Sequence, residues 1–177
     1  ADAAPILAAL PTETPIGEAF LAGSTAHIAE SSVPDAVLDV MLCSVRGASV
    51  VRGLVPKALA GSATEFYEAA VTDDSATLEL VLDGAVFDRL YELNPQETKD
   101  ALDKPSVTLF RGTIPWMFGL WIADETEVGV VVYTEQGIQG CILNDTKTAV
   151  EWATKQYNSV ERDAEEIFLR GGPRGIR

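Results

Sequence analysis

The side chains of this 177-residue chain best suited to nucleophilic or metal chemistry are its one histidine, His27, and its two cysteines, Cys43 and Cys141. A Ser or Cys nucleophile needs a base beside it. Nothing around His27 in "TAHIAE" sets up such a pair, and the stretch reads as a strand in which the imidazole is structural. With one His and two separated Cys, a zinc site would consist mostly of carboxylates, which zinc sites seldom do. Both cysteines sit in apolar stretches and read as buried free thiols, which suits a reducing cytoplasm. No Walker loop and no GxGxxG occurs, and "RGGPRG" follows no strand. The acidic pairs Asp73–Asp74 and Glu165–Glu166 read as solvated surface. The expectation is that no residue is catalytic, that no metal or cofactor is held, and that the chain is not an enzyme.

Two places suit binding better. In "VVRGLVP", Arg52 interrupts a strand otherwise fit for burial, and Gly53 would let another group approach the backbone closely. Arg52 there either pairs with a carboxylate of the protein or holds an anionic ligand through bidentate hydrogen bonds. In "LFRGTIPWMFGLW", Arg111 and Gly112 end one strand and Pro115 turns the chain into the next. Strand alternation sends Trp116, Phe118 and Leu120 to one face and Met117, Gly119 and Trp121 to the other. Both faces are apolar, so the strand is expected to be covered on both sides. Its aromatics are then either core or the wall of a pocket, since ligand sites are mostly apolar with a few orienting polar groups.

The charge balance narrows the partners. The chain has 27 Asp and Glu against 13 Lys and Arg, a net charge of −14, and only five of its cations are lysines. Such an excess keeps a surface hydrated and repulsive, as in proteins from high salt. A domain that grips DNA by itself would more often be basic. No signal peptide is visible, and no stretch approaches the roughly 20 apolar residues that span a bilayer. Cytoplasmic localisation without membrane contact is the expectation.

The elements that must position these residues follow from periodicity and punctuation. Residues 1–24, with small apolar clusters and prolines, read as a linker or arm. "SSVPDAVLDVMLCSVRG" reads as a helix with Ser32 as cap and Gly47 as stop. "SVVRGLV" and "ATLELVL" read as strands, "SATEFYEAAV" as a helix opened by a Ser62–Glu65 capping box, and "AVFDRLYEL" and "NPQETKDAL" as two helices broken at Pro95. Four strand-like runs between 106 and 143 follow and are expected to form an antiparallel part, with "TEQG" a hairpin turn. A long C-terminal helix is expected from about Thr146 to Phe168, with Asp145 or Thr146 as cap, closing over one face or making a dimer contact, before a flexible tail at 169–177. The fold class is therefore α/β, a mixed β-sheet with helices packed on its faces, in one domain over 25–168.

At "VVRGLVP" and "TIPWMFGLWIADETEVGVVVYTEQGIQGCILNDTKTAVEWATKQY" the chain resembles the sensor, or middle, domain of archaeal winged-helix regulators of the methanogenesis-regulator FilR type, which are abundant in haloarchaea. The likeness lies in Arg52, Gly53, Pro56, Pro115, Phe118, Gly119, Tyr133, Trp152 and Tyr157, and runs from about residue 7 to 168. "PWMFGL" departs from the usual Pro–Phe–Gly by an extra residue and a Trp. The resemblance implies a ligand-sensing and dimerising α/β domain, related to TrmB-type sensor domains and the phospholipase-D-like fold. It implies a homodimer, an unknown small-molecule effector, and DNA contact only through a winged helix absent from this chain. Arg52 and Arg111 would orient the ligand, with Trp116, Phe118 and Tyr133 around it. The His and Lys of the phospholipase D signature, two residues apart, are absent, because Ile28 and Ala29 follow His27. The alternatives are a dimerisation module without a ligand and a small enzyme.

Overall fold

A computed structural model of the chain describes residues 3–8, 10, 14–30, 35–58, 60–72, 74–135 and 137–168. The elements run α1 (Ala4–Leu7), α2 (Glu18–Leu21), β1 (Thr25–Ile28), α3 (Ala36–Val45), β2 (Val50–Val55), α4 (Ala60–Ala70), β3 (Thr77–Asp83), α5 (Gly84–Leu93), α6 (Pro95–Asp103), β4 (Val107–Gly112), β5 (Phe118–Ala123), β6 (Glu127–Thr134), β7 (Gly137–Asn144), α7 (Lys147–Glu161) and β8 (Glu165–Glu166). The strands form one mixed sheet in the order β1-β7-β6-β5-β2-β3-β4-β8. The mixed α/β sheet with a long helix near the C-terminus is as the sequence predicts.

Strands β2, β3 and β4 are parallel, and each successive strand is laid on the same side of the last. Right-handed crossovers then put the connecting helices on one face. Phe66 and Tyr67 of α4, Phe87 and Leu90 of α5 and Leu102 of α6 pack there with α3. The other face carries α7, whose Ala149, Ala153, Tyr157 and Val160 are buried at helical spacing. Strand β5 lies between these layers with all six residues buried, as its two apolar faces predict. Strands β5, β6 and β7 are antiparallel to one another, but β4 is not part of that group. It pairs in parallel with β3, because the helical connection between them is long enough for a crossover.

Several expectations change. The segment read as a linker puts Ile6 and Phe20 in the core, both fully buried, with Phe20 stacked on Trp152 at 4.8 Å. Buried Asn144 fastens it. Its Nδ2 donates to the carbonyls of Phe20 (2.6 Å) and Ala22 (2.8 Å), and its Oδ1 accepts from the Thr146 N–H. Of the two candidate caps, Thr146 opens helix α7, its Oγ1 accepting from the Ala149 N–H at 3.2 Å, but the helix stops at Glu161. Residues 165–166 instead pair with the open edge of β4, and the Ile167 N–H reaches the Leu109 carbonyl at 2.8 Å. Unpaired backbone groups at a sheet edge outweigh a continuation of the helix to Phe168. Helix α4 starts before Ser62, so the expected capping box lies inside the helix. Cys43 is exposed, while Cys141 is buried; both are free. Ser32 and the tail at 169–177 lie outside the described residues.

Candidate ligand-binding site

A cavity of about 370 Å³ opens on the face covered by α4, α5 and α6. It lies over the C-terminal halves of β2 and β3, which contribute Gly53, Leu54, Val55, Leu80 and Leu82. Ligands in open α/β sheets favour these strand ends. Antiparallel β5 and β6 extend the floor with Gly119, Trp121, Val131 and Tyr133. Phe66, Tyr67, Phe87 and Leu90 form the helical wall.

The floor depends on residues with no side chain. A Cβ on Gly53 would come within 2.9 Å of Leu80 Cδ2 and 3.1 Å of the Leu120 carbonyl, and one on Gly119 within 2.6 Å of Val131 Cγ1. Trp121 lies flat over Gly129 of the next strand, where a Cβ would overlap its ring at 1.9 Å. The indole N–H donates to Ser44 Oγ at 2.9 Å, and that hydroxyl donates in turn to Glu127. Phe66 meets the same indole edge-on, with ring centroids 6.0 Å apart. Trp121 is thus fixed from three elements.

Tyr133 carries the polar group at the floor. Its hydroxyl lies 3.3 Å from where a Gly119 Cβ would be and makes no hydrogen bond to a described residue. Burial raises its pKa far above the ordinary phenol value, so it remains a donor. Lys57, half-buried just beyond β2, lines the cavity and donates to the Thr134 carbonyl at 3.1 Å. Lys104, at the end of α6, stands 5.8 Å over the Tyr67 ring. Glu68, Glu97 and Asp100 also line the opening and are exposed.

The five residues picked from the sequence do not converge. Of them, Tyr133 is in the cavity wall. Arg52 points to the α7 face, where its guanidinium is 3.2 Å from Glu125 and 5.4 Å over the Tyr157 ring. Glu125 sits with Asp124 in the β5–β6 turn, both at positive φ, and Asp124 accepts from the N–H groups of Ser49 and Val50. Arg52 thereby helps hold the three-residue connection between β5 and β6. Trp116 and Phe118 stack on each other at 5.0 Å on that same face, and Phe118 stacks on Trp152 at 6.4 Å. The Trp116 N–H is buried there without a partner among the described residues. Arg111 forms a two-pronged pair with exposed Asp88, with Nη2 3.0 Å from Oδ2. That hydrogen bond raises the arginine's pKa and holds the carboxyl below its usual range. Lys57, Phe66, Tyr67 and Phe87 were missed, and Trp121 entered only among the β5 aromatics that could be core or pocket wall. The signal for Trp121 was its place on the face of β5 opposite Phe118, alternate with Gly119.

Fold and cavity together define a class: an α/β domain built to leave a mostly apolar hollow at the ends of parallel strands. Residues 34–163 match the middle domain of methanogenesis regulatory protein FilR1, and the chain belongs to that family, a domain family of regulators. No curated protein matches the sequence. Among solved structures, NucT from Helicobacter pylori is similar, with a TM-score of 0.62 and 9% identity, covering 80% of this chain and 97% of NucT. Nuc from Salmonella typhimurium, a phospholipase D family member, gives 0.60 and 10% identity, covering 82% and 98%. TrmBL2, described as an archaeal chromatin protein with a novel mode of DNA binding, gives 0.53 and 12% identity over 78% of this chain and 52% of its own. The chain therefore spans about half the length of TrmBL2.

The likeness corrects one expectation. The chain was expected not to be an enzyme, yet it shares its fold with a phospholipase D family member, so that exclusion does not hold. At these identities the likeness extends to the fold alone. No helix among the described residues is long and apolar enough to cross a membrane.

Proposed function

We propose that this chain is the effector-sensing domain of an archaeal transcription regulator, and that the effector binds in the cavity walled by Trp121, Tyr133, Phe66, Tyr67 and Phe87. The observation that carries the proposal is the cavity itself. Its volume of about 370 Å³ is ordinary for a small-molecule site, and its lining is apolar with a few polar groups. Membership of a regulator domain family supports it. An effector that fits one arrangement of α4–α6 better than another would shift the population of that arrangement.

The reading includes a homodimer and DNA contact through a winged helix outside this chain. The net charge of −14 opposes a direct grip on DNA by this domain. Free thiols at Cys43 and Cys141 support a reducing cytoplasm.

The test is a thermal-shift screen of metabolites on the purified chain, on Leu90→Trp, which adds bulk to the cavity wall, and on Arg52→Ala. A compound that raises the melting temperature of the native chain and of Arg52→Ala, but not of Leu90→Trp, is the expected result. Binding that survives Leu90→Trp and disappears in Arg52→Ala would overturn the cavity assignment. Sedimentation of the purified chain tests the dimer.

A further inference from the structure

Two donor groups that line the cavity come from the strands and the connection after β2, Tyr133 and Lys57. Lys57 is the half-buried cation there, and among the described residues no carboxylate pairs with it. Its one described hydrogen bond goes to the carbonyl of Thr134, and both Lys57 and Tyr133 line the cavity. The ammonium has three donors and uses one of them on that carbonyl. Tyr133 keeps its proton because it is buried. These two groups therefore present donors to whatever fills the cavity. The cavity's carboxylates, Glu68, Glu97 and Asp100, belong instead to α4 and α6 and are exposed to water. The chain has five lysines against 27 acids, yet two of the five, Lys57 and Lys104, line this cavity.

The remaining surface is mostly apolar and aromatic, with Ser62, Thr64, Asn94 and Thr98 as its few neutral polar groups. Leu80, Leu82, Phe66, Phe87 and Trp121 offer no partner to a hydroxyl-rich molecule such as a sugar, whose polar groups would lose their water on entry. The volume is near the low end of the roughly 300–1,000 Å³ typical of small-molecule sites, which disfavours a nucleotide.

We propose that the cavity takes a small monocarboxylic acid with an apolar body, its carboxylate on the Lys57 ammonium and the Tyr133 hydroxyl, its body between Trp121, Phe66 and Phe87. This rests on the cavity being the effector site and adds the chemical class. The charge-assisted hydrogen bond supplies orientation, and a neutral isostere forfeits it. An aryl acid and a short acyl chain share this chemistry.

Calorimetry with 3-phenylpropionate, its primary amide and octanoate separates the possibilities. At least one acid binds saturably, and the more tightly bound acid identifies the body as aryl or acyl. The amide binds more weakly than phenylpropionate by about tenfold or more. Lys57→Met removes the preference for acid over amide, and Lys57→Arg restores it in part. Tyr133→Phe weakens the acid by about fivefold. Equal binding of acid and amide, unchanged by Lys57→Met, would overturn the carboxylate assignment and leave the cavity as the effector site. If none of the three probes binds the native chain, the ligand class is wrong. Acid binding that persists in Leu90→Trp would place the ligand outside the cavity and overturn both readings.

Discussion

At the scale of single residues, glycines and buried ionisable groups decide most. Gly129 exists beneath Trp121 because any Cβ would overlap the indole. Gly129→Ala is expected to displace Trp121, shift its fluorescence, and cost about 1–3 kcal/mol in a urea melt, the range for overpacked interiors. Three buried acids set the alkaline limit. Burial raises Cys141 from 9.0 to about 12, and raises Tyr133 and Tyr157 further above their ordinary 10.0. In each, the unfolded chain releases its proton first as pH rises, so the unfolded state gains. Stability against denaturant should hold up to pH 9.0 and fall above it, with no contribution from these groups at lower pH. Cys141→Ala should flatten the fall between 9.0 and 10.0 and leave the steeper part above it. The sequence showed Arg52 interrupting an apolar strand but not its partner. Glu125 reaches it from a turn more than seventy positions along, a separation no local pattern encodes.

At the scale of elements, the joint between β7 and α7 holds the N-terminal segment. Asn144 satisfies two carbonyls and one N–H at once, whereas Thr146 caps one N–H. Thr146→Ala should therefore cost about 1 kcal/mol. Asn144→Ala should cost about 2 kcal/mol or more, because it leaves several groups buried without partners. Hydrogen exchange should rise at residues 18–24 in the Asn144 variant and stay unchanged there in the Thr146 variant. Element types from β2 to the start of α7 were legible because alternation and helical period are local properties. The early stop of α7 was not, because the competing partner was the edge of β4, about fifty residues earlier in the chain.

At the scale of the whole molecule, charge is the dominant fact. A net charge of −14 on 177 residues repels itself in the compact state. Added salt screens that repulsion, with the Debye length falling from about 10 Å at 0.1 M to about 3 Å at 1 M. The urea midpoint of the chain should rise over that range, more with potassium chloride than with an equal concentration of sucrose. An unchanged midpoint would show that the acidic groups lie too far apart for their repulsion to matter. The shared fold with a phospholipase D family member and with TrmBL2 belongs to this scale as well. It places the architecture, while activity and ligand are decided by side chains.

The amino-acid sequence by itself determined the mixed α/β class, the apolar character of both faces of β5 and the family, because each rests on local spacing or on a contiguous motif. The tertiary structure alone decided which face of β5 borders a hollow. Alternation divides Trp116 and Phe118 from Gly119 and Trp121 but does not say where the helices leave space. Helix α7 packs one face closed, with Tyr157 and Trp152 against Arg52 and Phe118. The three helices opposite leave the other open over Gly53, Gly119 and Tyr133. A cation that lines the hollow is Lys57, in the connection from β2 to α4, whereas Arg52 on β2 points to the closed side, opposite Gly53, because strand residues alternate between faces.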